Sequence, residues 1–186
     1  MTEAGVTPKI GVTPKIGVTP KIGVTPKVGV SVRSARPEDA GQWLAMRTEL
    51  WDDSPADHPP EIQAYFDAPP ERWVCLVAER ESGVLAGFAE VGLRDYAEGC
   101  TTSPVGYLEG IWVDPAARGT GAGRALVEAG EAWARSRGCR EMASDRALLN
   151  ESSGAFHGAV GFEETVRIVC YRKDLVPRDS MGEATS

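Results

Sequence analysis

Three glycines alternate at positions 119, 121 and 123 inside GIWVDPAARGTGAGRALVEAGEAWARSRG, residues 110–138. The apolar run before them reads as a buried strand, and the run after them has the apolar spacing of an amphipathic helix. Glycine at such a turn permits two things. It lets strand and helix pack closely, because no Cβ intervenes, or it leaves the first amides of the helix open to an anion. A helix N-terminus carries unpaired N–H groups and about half a positive charge. Arg118 and Arg124 add charge on either side, so Arg118, Gly119, Thr120, Gly121, Ala122, Gly123 and Arg124 form a candidate phosphate cradle. The GxxxxGK[ST] of a nucleotide-binding P-loop is absent, and the third glycine comes too early for the dinucleotide step.

The rest of the chain predicts what surrounds this turn. Residues 5–28 are four copies of GVTPKI or GVTPKV, with a proline and a glycine in every copy. Proline and glycine at that density prevent a helix and weaken a strand, so residues 1–28 are expected to be a flexible tail. A strand is expected at 28–33 and a helix at 34–51, with Pro37 in its first turn and Ala40, Trp43, Leu44, Arg47, Leu50 and Trp51 along one face. A short helix follows at 61–68, then a hairpin of strands at 72–80 and 84–96, and a strand at 105–113. After the glycine turn come a helix to Gly138, a strand at 139–145, a helix at 150–160 closed by Gly161, and a final strand at 163–175. The fold class is α/β with a mixed central sheet flanked by helices. The organisation is a tail at 1–28, a domain at 29–175 and a mobile tail at 176–186.

Composition narrows the partners. The net charge of −7 argues against nucleic acid or an anionic membrane and suits a cationic ligand if the acids converge. No apolar stretch has the ~20 residues that span a bilayer, and no signal-peptide order opens the chain, so a cytoplasmic protein is expected. The four cysteines lie far apart without a CxxC pair, which suggests neither a metal site nor a disulfide framework.

Arg118-Gly119-Thr120-Gly121-Ala122-Gly123, after the strand ending IWVDP, resembles the acetyl-CoA signature of the GNAT acetyltransferases, and the element order from about Val28 to Leu175 resembles theirs. The blocks TELWDDSPADH, YAEGCTTSPVGYLEGIWVDP, ASD followed by an Asn, and GFEETVRIVCYRK are similar to aminoglycoside 6'-N-acetyltransferases. The resemblance implies a GNAT fold, acetyl-CoA as cosubstrate with no metal, a cationic aminoglycoside as the acceptor, and a homodimer. It implies that the amides of 118–124 hold the pyrophosphate, that Ile111, Trp112 and Val113 line the pantetheine, and that Asn150 bonds it. It places Trp51, His58, Tyr96, Glu109 and Asp145 around the aminoglycoside, with His157 where many relatives carry a tyrosine that protonates the leaving thiolate. Val166, Leu149 and Gly154 depart from the polar residues that relatives carry there.

Some residues also speak for themselves. An amine is mostly protonated near neutral pH, so acetyl transfer needs a base. Glu109 interrupts an otherwise apolar strand, where desolvation would make its carboxylate a better proton acceptor. Asp145 follows a strand, a usual place for ligand contact in α/β sheets, although an Asp there also caps turns. Asn150 is equally suited to cap a helix. Asp52, Asp53, Asp57, Asp95 and Glu98 fall in the same loops and would add to an acidic mouth. Two alternatives stay open: a GNAT enzyme acting on another polyamine or protein amine, and a non-catalytic acetyl-CoA-binding adapter.

Overall fold

The computed structural model describes residues 29–52, 55–68, 70–173 and 175. The repeat segment 1–28 and the tail 176–186 lie outside the described residues, as does Asp53. Strand β1 (Val30–Ser34) leads through a 3-10 turn, Pro37–Asp39, into α1 (Ala40–Leu50). Helix α2 (His58–Asp67) precedes the strands β2 (Trp73–Arg80), β3 (Leu85–Arg94) and β4 (Val105–Val113). Then come α3 (Ala122–Ser136), β5 (Met142–Ser144) and α4 (Glu151–Val160).

The five strands form one sheet in chain order, antiparallel except for the parallel pair β4 and β5. Strands β2 and β3 are apolar on both sides because each side faces a helical layer. Leu76, Ala89 and Val91 meet Leu126, Ala129 and Trp133 of α3. On the other side Cys75, Val77 and Phe88 meet Trp43, Ile62 and Tyr65 of α1 and α2. Burial of such side chains contributes about 1.5–3 kcal/mol each, which outweighs any single polar contact in holding the layers. Met46, which the helix pattern did not single out, is buried in the α1–α2 layer beside Trp43.

The mixed sheet flanked by helices is as expected, with two corrections. The strand predicted at 139–145 contracts to Met142–Ser144. The strand predicted at 163–175 does not form among the described residues. Val166, Ile168, Val169 and Tyr171 have strand-like composition but are exposed, and no strand among the described residues pairs with them. A β-strand needs a neighbour's hydrogen-bonding edge, and composition alone cannot provide one.

Candidate active site

Strand β4 outruns its parallel neighbour. Its register with β5 covers Gly106 to Leu108, whereas its register with β3 continues to Val113. From Glu109 onward the β4 edge on the β5 side is therefore open among the described residues. Ile111 and Val113 pack toward the α3 layer and Trp112 toward the α1–α2 layer, so what this edge offers is backbone.

The turn after β4 opens into the same gap. Gly119 and Gly121 adopt φ of 75° and 97°, a region that L side chains avoid, and a Cβ built on either meets nothing within 4 Å. Gly121 is the N-cap of α3, with no side-chain cap bond, so no side chain caps the first amides of this 15-residue helix. Those amides suit a diphosphate. Gly123 serves a different end: a Cβ there would lie 2.9 Å from the Phe156 ring, so its absence lets α3 approach α4. Arg118 Nε donates to the Val113 carbonyl at 3.1 Å, Thr120 Oγ1 to Ala117 at 2.7 Å, and Arg124 to Ala159, bracing the loop.

At the fork between β4 and β5, His157 Nδ1 donates to the Ser153 carbonyl at 2.7 Å, and its Nε2 lies 3.0 Å from Ser144 Oγ. Ser144 Oγ in turn donates to the Leu108 carbonyl at 3.0 Å.

On the other side of β4, a hollow of about 400 Å³ is lined by Arg47, Trp51, Asp57, His58, Glu61, Glu90 and Glu109. Trp51 lies against Gly110, where a Cβ would sit 2.3 Å from its ring. His58 is buried, edge-on to Trp51 with ring centroids 6.4 Å apart. The Glu109 carboxylate lies over Gly92 of β3, where a Cβ would come 2.9 Å from Oε1. It accepts from Arg94 twice, at 3.1 and 2.5 Å. The Arg94 guanidinium sits 3.3 Å from the Tyr107 ring centroid, and Tyr107 donates to Asp145 Oδ1 at 2.6 Å. Burial and then the Asp145 contact push the Tyr107 phenol well above its ordinary range, so it remains a donor.

A profile of the acetyltransferase (GNAT) family matches residues 43–162. The chain is 44% identical over 146 residues to aminoglycoside N(6')-acetyltransferase type 1 of Klebsiella aerogenes, covering 77% of this chain and 96% of that protein. It is 45% identical over 150 residues to the protein of the same name from Stenotrophomonas maltophilia, covering 79% and 95%. The chain belongs to the GNAT acetyltransferase family. Among solved structures, AAC(6')-Iy in complex with the bisubstrate analog CoA-S-monomethyl-acetylneamine superimposes on this GNAT chain with a TM-score of 0.73, at 37% identity over 78% of this chain and 98% of that one. AAC(6')-Ih from Acinetobacter baumannii gives 0.75 at 35% identity, over 80% and 100%.

Of the expected site residues of this GNAT chain, Trp51, His58 and Glu109 converge on the hollow. Asp145 joins them through Tyr107 and Arg94. Tyr96 stands 69% exposed and outside the lining. Asp57 lines the hollow, while Asp95 is paired with Arg72 at 2.8 Å. Asn150 caps α4, its Oδ1 accepting from Ser153 N at 3.1 Å. The desolvation expected at Glu109 is not there: its side chain is 35% exposed and paired with Arg94, because β4 is deeply buried only from Val105 to Leu108. Among the described residues no group of three or more His, Cys, Asp or Glu could hold a metal ion.

The buried carboxylate is one the motif reading passed over. Glu90 of β3 is 6% exposed, accepts from Trp43 Nε1 at 3.0 Å and lies 3.1 Å from Arg47 Nε. Burial pushes its carboxyl up to about 7, although Arg47 and Trp43 both oppose the shift. An acid inside an apolar strand was the signal applied to Glu109, and FAEVG carries it equally. Unfolded, a Glu titrates near ~4.3, so the fold binds this proton more tightly, and the group's contribution is present at low pH and lost as pH rises toward about 7. Glu90→Gln is expected to remove up to about 3 kcal/mol of that pH dependence. Urea denaturation of both proteins at several pH values checks it; parallel profiles between about pH 5 and 7 would contradict it.

Proposed function

We infer that this chain transfers the acetyl group of acetyl-CoA to the 6'-amine of an aminoglycoside. One observation carries the reading: a single strand, β4, presents an open backbone edge and a phosphate-ready helix N-terminus at one end and an acid-lined hollow beside it. Relatives of 44–45% identity bearing the name aminoglycoside N(6')-acetyltransferase support it, as does the likeness to a structure holding a CoA-linked aminoglycoside analog.

Bound acetyl-CoA supplies an activated thioester. The amides from Gly119 to Gly123 hold its diphosphate, the 111–113 edge pairs with its pantetheine, and Asn150 bonds it through the side-chain nitrogen left over from capping. An amide of that edge, near Val113, polarises the acetyl carbonyl. Glu109 takes a proton from the 6'-ammonium and passes it to water, freeing the lone pair that forms the C–N bond; the second proton leaves the nitrogen to the same carboxylate as the C–S bond breaks. Asp145, oriented by Tyr107, holds an ammonium beside it. His157, hydrogen-bonded through Ser144 at the fork, returns a proton on the thiol side. Trp51 and His58 face the sugar ring from the hollow, and Tyr96 meets it only from outside the lining.

The test is thiol release from acetyl-CoA with kanamycin and tobramycin, which carry a 6'-amine, and with paromomycin, which carries a 6'-hydroxyl. Release with the first two alone supports the reading. Release only with other polyamines would reassign the acceptor, and none across a broad amine panel would reject it.

We further propose a cytoplasmic homodimer that uses neither nucleic acid nor membrane as partner. No helix among the described residues is long and apolar enough to cross a membrane, and the net charge of −7 disfavours polyanions. The exposed apolar side chains at 166–171 would be covered by a second copy. Sedimentation equilibrium should return twice the 19.9 kDa chain mass, and a monomer at micromolar concentration would reject the dimer.

A further inference from the structure

We propose that Arg94 is a resident cation of the amine site, occupying the Glu109 carboxylate in the free enzyme and yielding it when the substrate's 6'-ammonium arrives. The proposal rests on the reading of Glu109 as the group that meets that amine.

Both carboxylate oxygens of Glu109 accept from Arg94. The same guanidinium lies over the Tyr107 ring, whose hydroxyl is bonded to Asp145. A cation thus sits between the two acids assigned to the substrate, with an aromatic face behind it. An ammonium ligand asks for the same surroundings. The other basic side chains nearby are engaged elsewhere: Arg47 lies against Glu61 and Glu90, and Arg72 pairs with Asp95. Gly92 lets the carboxylate lie back over β3, where it meets Arg94 at the strand's end. The Arg94 side chain is 42% exposed and long, so it can swing into water without disturbing the sheet.

Two consequences separate this from a supporting role. Binding exchanges one ion pair for another, so Glu109 is already paired before substrate arrives, and the affinity gained there is only the difference between the two pairs. Removing Arg94 then tightens binding, but only through Glu109.

Kanamycin affinity measured by calorimetry on the full chain, with CoA present, tests this. Arg94→Met keeps the stem that covers Tyr107 and removes the charge. It is expected to tighten the Kd about five- to tenfold, the worth of a half-exposed bidentate pair with its ring contact. In a Glu109→Gln background the same change should alter Kd less than about twofold, since no carboxylate remains to be released. Arg72→Met, which changes net charge equally, should also stay within about twofold. Nitrogen-15 spectra of arginine side chains should show the Arg94 Nε–H signal moving to a solvent-like position on kanamycin binding.

Weaker binding in Arg94→Met would overturn the proposal in favour of Arg94 as a support for Glu109. Equal tightening with or without Glu109, or equally by Arg72→Met, would assign the effect to bulk charge. An Arg94 signal that does not move would also overturn it. If Arg94→Met and the double variant Arg94→Met/Glu109→Gln bind kanamycin equally and no tighter than wild type, the reading of Glu109 fails first, and that result is distinct from the others.

Discussion

Gly121→Val is expected to weaken acetyl-CoA binding by about 100-fold or more while leaving the hydrophobic layers intact. Position 121 has φ of 97°, and a β-branched residue there costs about 1–2 kcal/mol of backbone strain. Relief of that strain would rotate the first amides of α3 away from a bound diphosphate, and each charge-assisted bond lost costs about 1.5–3 kcal/mol. Beyond its chain neighbours, none of the described residues lies within 4 Å of a Cβ at this position, so the valine projects toward the turn and not into the core. Calorimetric titration with CoA, beside a thermal melt, separates the two effects. An unchanged isotherm would remove the cradle from the mechanism. Gly121→Ala, with the same strain and less bulk, should lie between.

Glu109→Gln should lower kcat about 100- to 1,000-fold, the usual worth of a positioned base, with acetyl-CoA affinity changed less than about twofold. Glutamine keeps the shape over Gly92 but cannot take a proton, and it loses the charge that Arg94 contacts. The coenzyme's proposed contacts lie further along β4 and in the loop at 118–123, so its Kd is the internal control. Equal losses in both quantities would mean that the carboxylate shapes the site and does no proton transfer.

The order of elements and the glycine turn were legible without coordinates. Strand, amphipathic helix and cap patterns are local, and local spacing reports them faithfully, as at Gly121, Gly138 and Gly161. Recognition of the family followed from contiguous blocks of residues, and Trp51, His58 and Glu109 do share one hollow. What spacing could not report was anything settled across strands. Glu109 and Glu90 both interrupt apolar strands, yet one is paired near the surface and the other is buried against Arg47. The bulge between Glu90 and Val91, and the side of the sheet on which each helix lands, decide which carboxylate loses its water.

The same holds for the rest of the site. Arg94 reads as an ordinary surface arginine until β3 and β4 pair and set it against Glu109 and Tyr107. The segment at 163–175 reads as a strand because its side chains favour one, but strand formation depends on a neighbouring edge and none among the described residues pairs with it. The sequence by itself determined the order of the elements up to α4, the glycine turn before α3 and the family, because each rests on a few consecutive residues. The tertiary structure alone decided which acid is buried, which cation stands at the amine site and which predicted strand goes unpaired, because burial and ion pairing are properties of what the fold brings from elsewhere in the chain.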